Sequence, residues 1–350
     1  MDHQGYISDL FHLVALHTER GGPLLGDPTL SKNGQILLVG CGDRTFDDIQ
    51  QEFESDGLVY VDDLHFAQNN ADRYAAALGN INQRDFIERA DNLRWIQSFS
   101  AGVNVFPFDL LSERGITLTN AAGVYGPNIA DHTIAMALML CREIEPIRRV
   151  ALHEGWPKQK RTPSPGELAG QTMLVIGLGG IGLETAKRAW GHGMRVVATR
   201  RRLDRNKPDF IESVHPPQHL HRLIPDADWI AVCVPHTPDT IDLISTPEFG
   251  LMKPSAHILC ATRGGIINTL ALIDALDEGT LAGAGLDVTD PEPLPVDHPL
   301  WRYKNVIITP HQSGYSGAAN QRLENLIRHN LGSFLSGAPM RNVVDLDLQY

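Results

Sequence analysis

With 350 residues, a formal net charge of -12 and a pI near 5.6, the chain repels polyanions, which excludes nucleic acid and anionic membrane surfaces as general partners. Apolar residues at 42% and charged residues at 21% are those of a globular protein, and the length suits about two domains. No run approaches ~18 apolar residues, and Met1-Asp2-His3-Gln4 lacks the basic start and apolar core of a signal peptide, so a cytoplasmic protein is expected.

Residues 1–34, rich in Gly, Pro and His around Gly21-Gly22-Pro23, read as an N-terminal extension before the first strand, Gln35 to Val39. Short apolar runs follow at Leu58 to Val61, Leu93 to Phe99 and Ile116 to Leu118, alternating with polar helical stretches as in a small parallel α/β unit. Asn128 to Glu143 predicts a long, mostly buried helix. Next come a buried strand at Gln171 to Ile176, a glycine loop at Gly177 to Gly182, a helix at Leu183 to Trp190 and a strand at Arg195 to Thr199, which together make a βαβ unit.

Further apolar strands are predicted at Trp229 to Val234, Ala256 to Cys260, Gly283 to Asp287 and Asn305 to Thr309, with a helix at Thr269 to Glu278. Strands this apolar belong in a parallel sheet covered on both faces. The helical tail from Gly317 to Phe334 is expected to return to the first unit. The substrate-binding domain would then be discontinuous, 35–122 with 317–350, around a dinucleotide-binding domain at 123–316. Cys41, Cys141, Cys233 and Cys260 lie in apolar runs without CxxC spacing and read as reduced packing residues, with no metal site expected.

Gly177-Leu178-Gly179-Gly180-Ile181-Gly182 fits the dinucleotide fingerprint, in which glycines make the tight turn, admit the pyrophosphate and pack the helix against the strand. The preceding strand and the following helix and strand give the motif its required context. Gly40-Cys41-Gly42 also follows a strand, but without a third glycine it reads as a turn. Where an acid would bond the ribose 2′-OH of NAD(H), this chain has Arg200, Arg201 and Arg202. Arg200 and Arg201 are therefore expected to meet a 2′-phosphate, with NADP(H) preferred and NAD(H) the second option.

Ligands bind beyond the carboxyl ends of strands in open α/β sheets. There stand Arg263, Asp287, Glu292 and His311, none of which strand packing requires. In this order behind a glycine loop, these residues resemble the D-isomer-specific 2-hydroxyacid dehydrogenases, which implies reduction of a 2-oxo acid, with a cation for the carboxylate, a proton for the ketone oxygen and a hydride from the cofactor. Arg263 offers a planar fork for the carboxylate, His311 an imidazole that can serve as general acid, and Glu292 an acid that can pair with it.

The resemblance runs from about Gln97 to Asn342 and includes Ser100-Ala101-Gly102-Val103, Asn120-Ala121-Ala122-Gly123, Gly155-Trp156 and Val234-Pro235. It implies two Rossmann-like parallel-sheet domains, with the cofactor domain inserted into a flavodoxin-like substrate domain. It also implies that Ala101 and Gly102 hold the substrate carboxylate through backbone N–H groups, that Asp287 and the Ala261 carbonyl orient the nicotinamide amide, and that Val234, Pro235 and Gly314 contact the cofactor. The family pairs through its cofactor domain, so a homodimer reaching across by Arg148 to Trp156 is expected. Val103 to Phe106 and Tyr125 would rim the substrate pocket, with glyoxylate and hydroxypyruvate the first substrates to try.

A cofactor-sensing binding module of the transcriptional-corepressor kind would need a partner-binding tail or a basic face, and the sequence shows neither. Formate or phosphite oxidation, or hydrolysis of S-adenosylhomocysteine with held NAD, keeps the fold but fits Arg, Glu and His less well.

Overall fold

The computed structural model describes residues 34–40, 46–156 and 165–350. The extension expected over 1–34 lies outside them apart from Gly34, as do Cys41 and Gly42 of the expected turn.

The first sheet contains β1 (Gln35–Val39), β2 (Leu58–Val61), β3 (Tyr74–Leu78), β4 (Trp95–Gln97) and β5 (Thr117–Thr119), all parallel, in the order β2-β1-β3-β4-β5. That is the flavodoxin-like order. The second contains β6 (Thr172–Ile176), β7 (Arg195–Thr199), β8 (Ser213–His215), β9 (Trp229–Val232), β10 (His257–Cys260), β11 (Gly283–Leu286) and β12 (Val306–Ile308). Its order, β12-β11-β10-β9-β6-β7-β8, is the doubly wound dinucleotide-binding arrangement extended by one strand, and it too is wholly parallel.

Side chains that alternate along each strand cover both faces. On β1, Leu37 faces a cluster with Phe86, Ile87 and Leu111, while Ile36 and Leu38 face one with Trp95, Leu323, Ile327 and Leu331. On β6, Leu174 and Ile176 join Phe249 and Leu272, whereas Met173 and Val175 join Ile134, Met136 and Ala189. Double coverage explains why these strands read as unbroken apolar runs.

Four helices matter for the site. Helix α1 (Gly126–Cys141) packs on the second sheet, and Gly285 of β11 meets Met136 of this helix so closely that a Cβ there would come within 3.0 Å. Helix α2 (Ile144–Glu154) follows it with no buried residue. Helix α3 (Gly180–Gly191) rises from the glycine loop, and α4 (Gly317–Ser336) carries Leu323, Leu326, Ile327 and Leu331 back onto the first sheet. Val343 then bridges Thr119 in antiparallel fashion at the edge of that sheet.

Two strands differ from expectation. β3, Tyr-Ala-Ala-Ala-Leu, is buried at every position and lies centrally in its sheet, yet alanine carries little strand propensity and no apolar signal of the usual kind. β8 is a three-residue edge strand, too short for a periodic signal. Among the described residues no helix is long and apolar enough to cross a membrane.

Asn330 of α4 is wholly buried and ties the returning helix to the first sheet. Its Nδ2 donates to Gln97 Oε1 at 2.8 Å and to the Arg341 carbonyl at 3.1 Å, and its Oδ1 accepts from the Arg341 N–H at 2.8 Å. Asn330→Ala strands these partners without water, so unfolding in urea should show a loss of about 1–3 kcal/mol at unchanged m. A loss below about 0.5 kcal/mol would mean that the network does not hold the helix.

Candidate active site

Because every strand in both sheets is parallel, the carboxyl ends of each face one way, and polar loops gather there. A cavity of about 510 Å³ is lined from the first sheet by Asn80, Ser100, Gly102 and Asn104 to Phe106. From the second it is lined by His236, Arg263 to Gly265, Thr289, Asp290, Glu292 and His311. The three residues proposed from sequence for acid–base and carboxylate chemistry thus share one cavity.

Arg263 follows β10, and its Nη1 donates to the Thr262 carbonyl at 2.8 Å. Burial pulls its guanidinium below the usual arginine range, and the charge of Glu292 opposes that shift. The guanidinium lies flat against Gly102 from the other sheet: a Cβ on Gly102 would stand 2.8 Å from Cζ and 2.9 Å from Nε.

His311 follows β12, with Nδ1 2.6 Å from Glu292 Oε1, and both side chains are a little over two-fifths exposed. Its backbone has φ of +54°, a left-handed conformation that costs a non-glycine residue roughly 1–2 kcal/mol. The loop is held there by Asp287. His311 N–H donates to the Asp287 carbonyl at 2.8 Å, Gln312 and Ser313 N–H donate to its carboxylate at 2.8 and 2.9 Å, and the Thr309 hydroxyl donates at 2.5 Å. His132 of α1 joins from behind, with Nε2 2.8 Å from Thr309 Oγ1.

The cofactor loop fits a dinucleotide pyrophosphate. Gly177 has φ of +94°, and a Cβ there would meet Val234 Cγ1 at 2.7 Å; one on Gly182 would overlap the Gly177 carbonyl oxygen. Gly179, the N-cap of α3, has open space beside it, and the helix start receives no side-chain cap. The first-turn N–H groups at Gly180, Ile181 and Gly182 are left for an anion. Gly177 and Leu178 N–H groups both reach the Thr199 carbonyl, which puts the tip of β7 beside the loop.

The chain matches the model of the D-isomer specific 2-hydroxyacid dehydrogenase, NAD binding domain, over residues 134–313. It is 32% identical over 271 residues to a glyoxylate reductase of Thermococcus litoralis, covering 76% of this chain and 81% of that one. It belongs to the D-isomer-specific 2-hydroxyacid dehydrogenase family. Glyoxylate/hydroxypyruvate reductase B of Yersinia pestis is also 32% identical, over 81% of this chain and 86% of its own. A crystal structure of a family protein from Aeromonas salmonicida superposes with a TM-score of 0.76 at 28% identity, covering 90% of this chain and all of that one. The chain is accordingly an NAD(P)-dependent oxidoreductase of 2-hydroxy acids.

In the dehydrogenase, Tyr125, Val103 and Arg200 turn to contacts other than those the sequence suggests. Asp287, expected on the nicotinamide amide, is 1% exposed, and its carboxylate already serves the His311 loop. Tyr125, expected on the pocket rim, donates its hydroxyl to the Phe99 carbonyl at 2.6 Å and does not line the cavity, and Val103 is buried in the core of the first sheet. Arg200 turns back onto the carbonyls of Arg205 and Asn206, which leaves Arg201 as the outward arginine of the pair. Pro235 follows β9 and its carbonyl takes the Thr240 hydroxyl at 2.7 Å; Ala261 is buried past β10, and Gly314 stands with open space about it.

Asn80, His236 and Asp290 line the cavity without having been singled out from the sequence, whereas Asn104 to Phe106 belong to the expected rim. Asn80 follows β3, next to the switch point between β1 and β3, and its Oδ1 accepts from the Ser98 and Ser100 hydroxyls at 3.3 and 3.2 Å, so its amide nitrogen is the end available to a ligand. Recognition of β3 as a strand would have revealed it, since polar residues past the carboxyl end of a parallel strand mark sites.

The close approach at Gly102 generates a test. Gly102→Ala should displace the Arg263 guanidinium and lower kcat/KM for a 2-oxo acid by about tenfold or more, while NADP+ affinity measured by calorimetry stays within about twofold. An unchanged kcat/KM would show that Arg263 works from another position.

Proposed function

We propose that this enzyme reduces a small 2-oxo acid to the D-2-hydroxy acid, with glyoxylate and hydroxypyruvate as leading substrates and NADP(H) preferred over NAD(H). The observation that carries the proposal is the His311–Glu292 pair at 2.6 Å in the cavity that also holds Arg263. The names of the Thermococcus litoralis and Yersinia pestis relatives support the substrates.

When bound, the cofactor supplies the hydride. Arg263 grips the substrate carboxylate with its planar fork and polarises the ketone, and the Ala101 and Gly102 N–H groups add donors to the same carboxylate. His311 gives a proton from Nε2 to the ketone oxygen, because Nδ1 is engaged by Glu292. In oxidation Nε2 takes that proton back. Partial burial of Arg263 strengthens its pull on the carboxylate, since fewer waters compete for it. Asp287 acts through the loop it holds and does not touch the substrate.

The cofactor preference is supported by the end of β7, which lacks an acid for the ribose 2′-OH and is followed by Arg201, whose guanidinium suits a 2′-phosphate. Residues 35–122 with 317–350 form the substrate domain in this reading, and 123–316 the cofactor domain. A homodimer is proposed through α2 and the segment to Trp156, where Ile147, Leu152 and Trp156 are 53%, 68% and 96% exposed.

His311→Asn should retain cofactor binding and lose about 10²–10⁴-fold in kcat at neutral pH. A fall of less than about tenfold would remove His311 as the acid. A panel of 2-oxo acids assayed with NADPH and NADH tests substrate and cofactor together, and equal or higher kcat/KM with NADH would overturn the NADP(H) preference. Arg263→Lys should be severely impaired, because a point ammonium cannot reproduce the fork.

A further inference from the structure

Beyond the tip of β7, Arg201 is held between two distant parts of the chain. Its Nη2 lies 3.0 Å from Asp239 Oδ2, and its Cζ stands 5.3 Å from the centre of the Tyr350 ring. Asp239 belongs to the loop after β9, on the same sheet as Arg201. Tyr350 comes from the segment that leaves the first sheet after Val343 bridges Thr119. That segment folds back on itself: Asp345 Oδ1 accepts from the Asp347 and Leu348 N–H groups at 3.1 and 3.0 Å, and Asp345 N–H donates to the Tyr350 carbonyl at 3.2 Å. The guanidinium is thus gripped by a carboxylate from one sheet and a ring from the other.

The two partners differ in what they do to an incoming anion. A ring face attracts the cation without neutralising it. A carboxylate consumes the same N–H donors that a phosphate would use and repels the phosphate besides. Arg201 and Asp239 side chains are 42% and 80% exposed, so their pair is weak and exchangeable. Arg200 directs Nη1 and Nη2 to the Asn206 and Arg205 carbonyls, and its Nε is buried without a partner, away from an incoming phosphate. Lys207 reaches the Pro208 and Ile211 carbonyls.

We propose that Asp239 is a cofactor-selectivity residue that tempers the preference for NADP(H) by competing with the 2′-phosphate for Arg201, while Tyr350 keeps the guanidinium at the site. This inference rests on the reading of Arg201 as the phosphate receiver. With NAD(H), the ribose hydroxyls bring no charge to Arg201 and the pair with Asp239 persists. With NADP(H), one guanidinium faces two anions, and the carboxylate must yield donors. Asp239 and Tyr350 are positioning residues in this scheme, and their effect belongs to binding rather than to the hydride step.

The test measures dissociation constants of NADP+ and NAD+, with 2′-AMP and 5′-AMP as fragment probes, by isothermal titration calorimetry on the full chain at low salt. Asp239→Asn should bind NADP+ and 2′-AMP about three- to fivefold tighter, with NAD+ and 5′-AMP within about twofold of wild type. Tyr350→Ala should weaken NADP+ by about two- to fivefold, whereas Tyr350→Phe, which keeps the ring face, should match wild type. Arg201→Ala serves as the control for the underlying reading and should lose about tenfold or more in NADP+ affinity. If Arg201→Ala loses NADP+ while Asp239→Asn binds it no tighter, the role of Asp239 is overturned and the NADP(H) reading stands. If Arg201→Ala binds NADP+ as wild type does, both fall together.

Discussion

The site depends on one approach: the Arg263 guanidinium lying against the backbone of Gly102. Arg263 belongs to the sheet that carries the glycine loop, Gly102 to the other, and the cavity exists only where the two sets of loops meet. Any side chain at Gly102 would displace the Arg263 guanidinium from this position. Burial at this junction also removes water from the guanidinium, which makes the fork a stronger partner for an anion and leaves it costly without one.

His311 is placed by a different device. A loop after a strand has no reason of its own to adopt a left-handed turn at histidine, and the strain is met by Asp287, whose buried carboxylate takes two successive N–H groups and a hydroxyl. Charge-assisted bonds of this type, shielded from water, hold a loop far better than exposed ones. Asp287 therefore lies beneath the reacting residues, and His132 of α1 ties the same network to the helix behind it. Rigid support of this kind allows the His311–Glu292 pair to remain two-fifths exposed and still keep a defined direction.

The sheets were legible to different degrees for physical reasons. Doubly covered parallel strands favour apolar residues on both faces, so β9 throughout, and β6 and β10 after their first residues, stand out as apolar runs. β3 obeys the same rule with alanines, and its signal is lost because small residues are equally at home in helices. With β3 went Asn80, the polar residue just past its end. Arg263, Glu292 and His311 were recoverable because unusual side chains at strand ends serve no packing purpose, and their order matched a known pattern. The direction of a side chain was not recoverable: Tyr125 and Val103 lie beside the cavity in sequence but turn into other contacts.

By itself the sequence determined the α/β class, the dinucleotide loop and three of the residues that share the cavity, Arg263, Glu292 and His311, because each is a local property of strand periodicity, glycine spacing or residue type. Tertiary structure alone decided which carboxylate serves which partner. Asp287 and Glu292 are both acids past the same strand, yet one is sealed under the His311 loop and the other faces the imidazole. Arg200 and Arg201 are adjacent and identical in type, yet one closes its own loop and the other meets Asp239 and Tyr350 from distant segments. Hydrogen bonds act over about 3 Å, and only the folded chain sets which groups come that close.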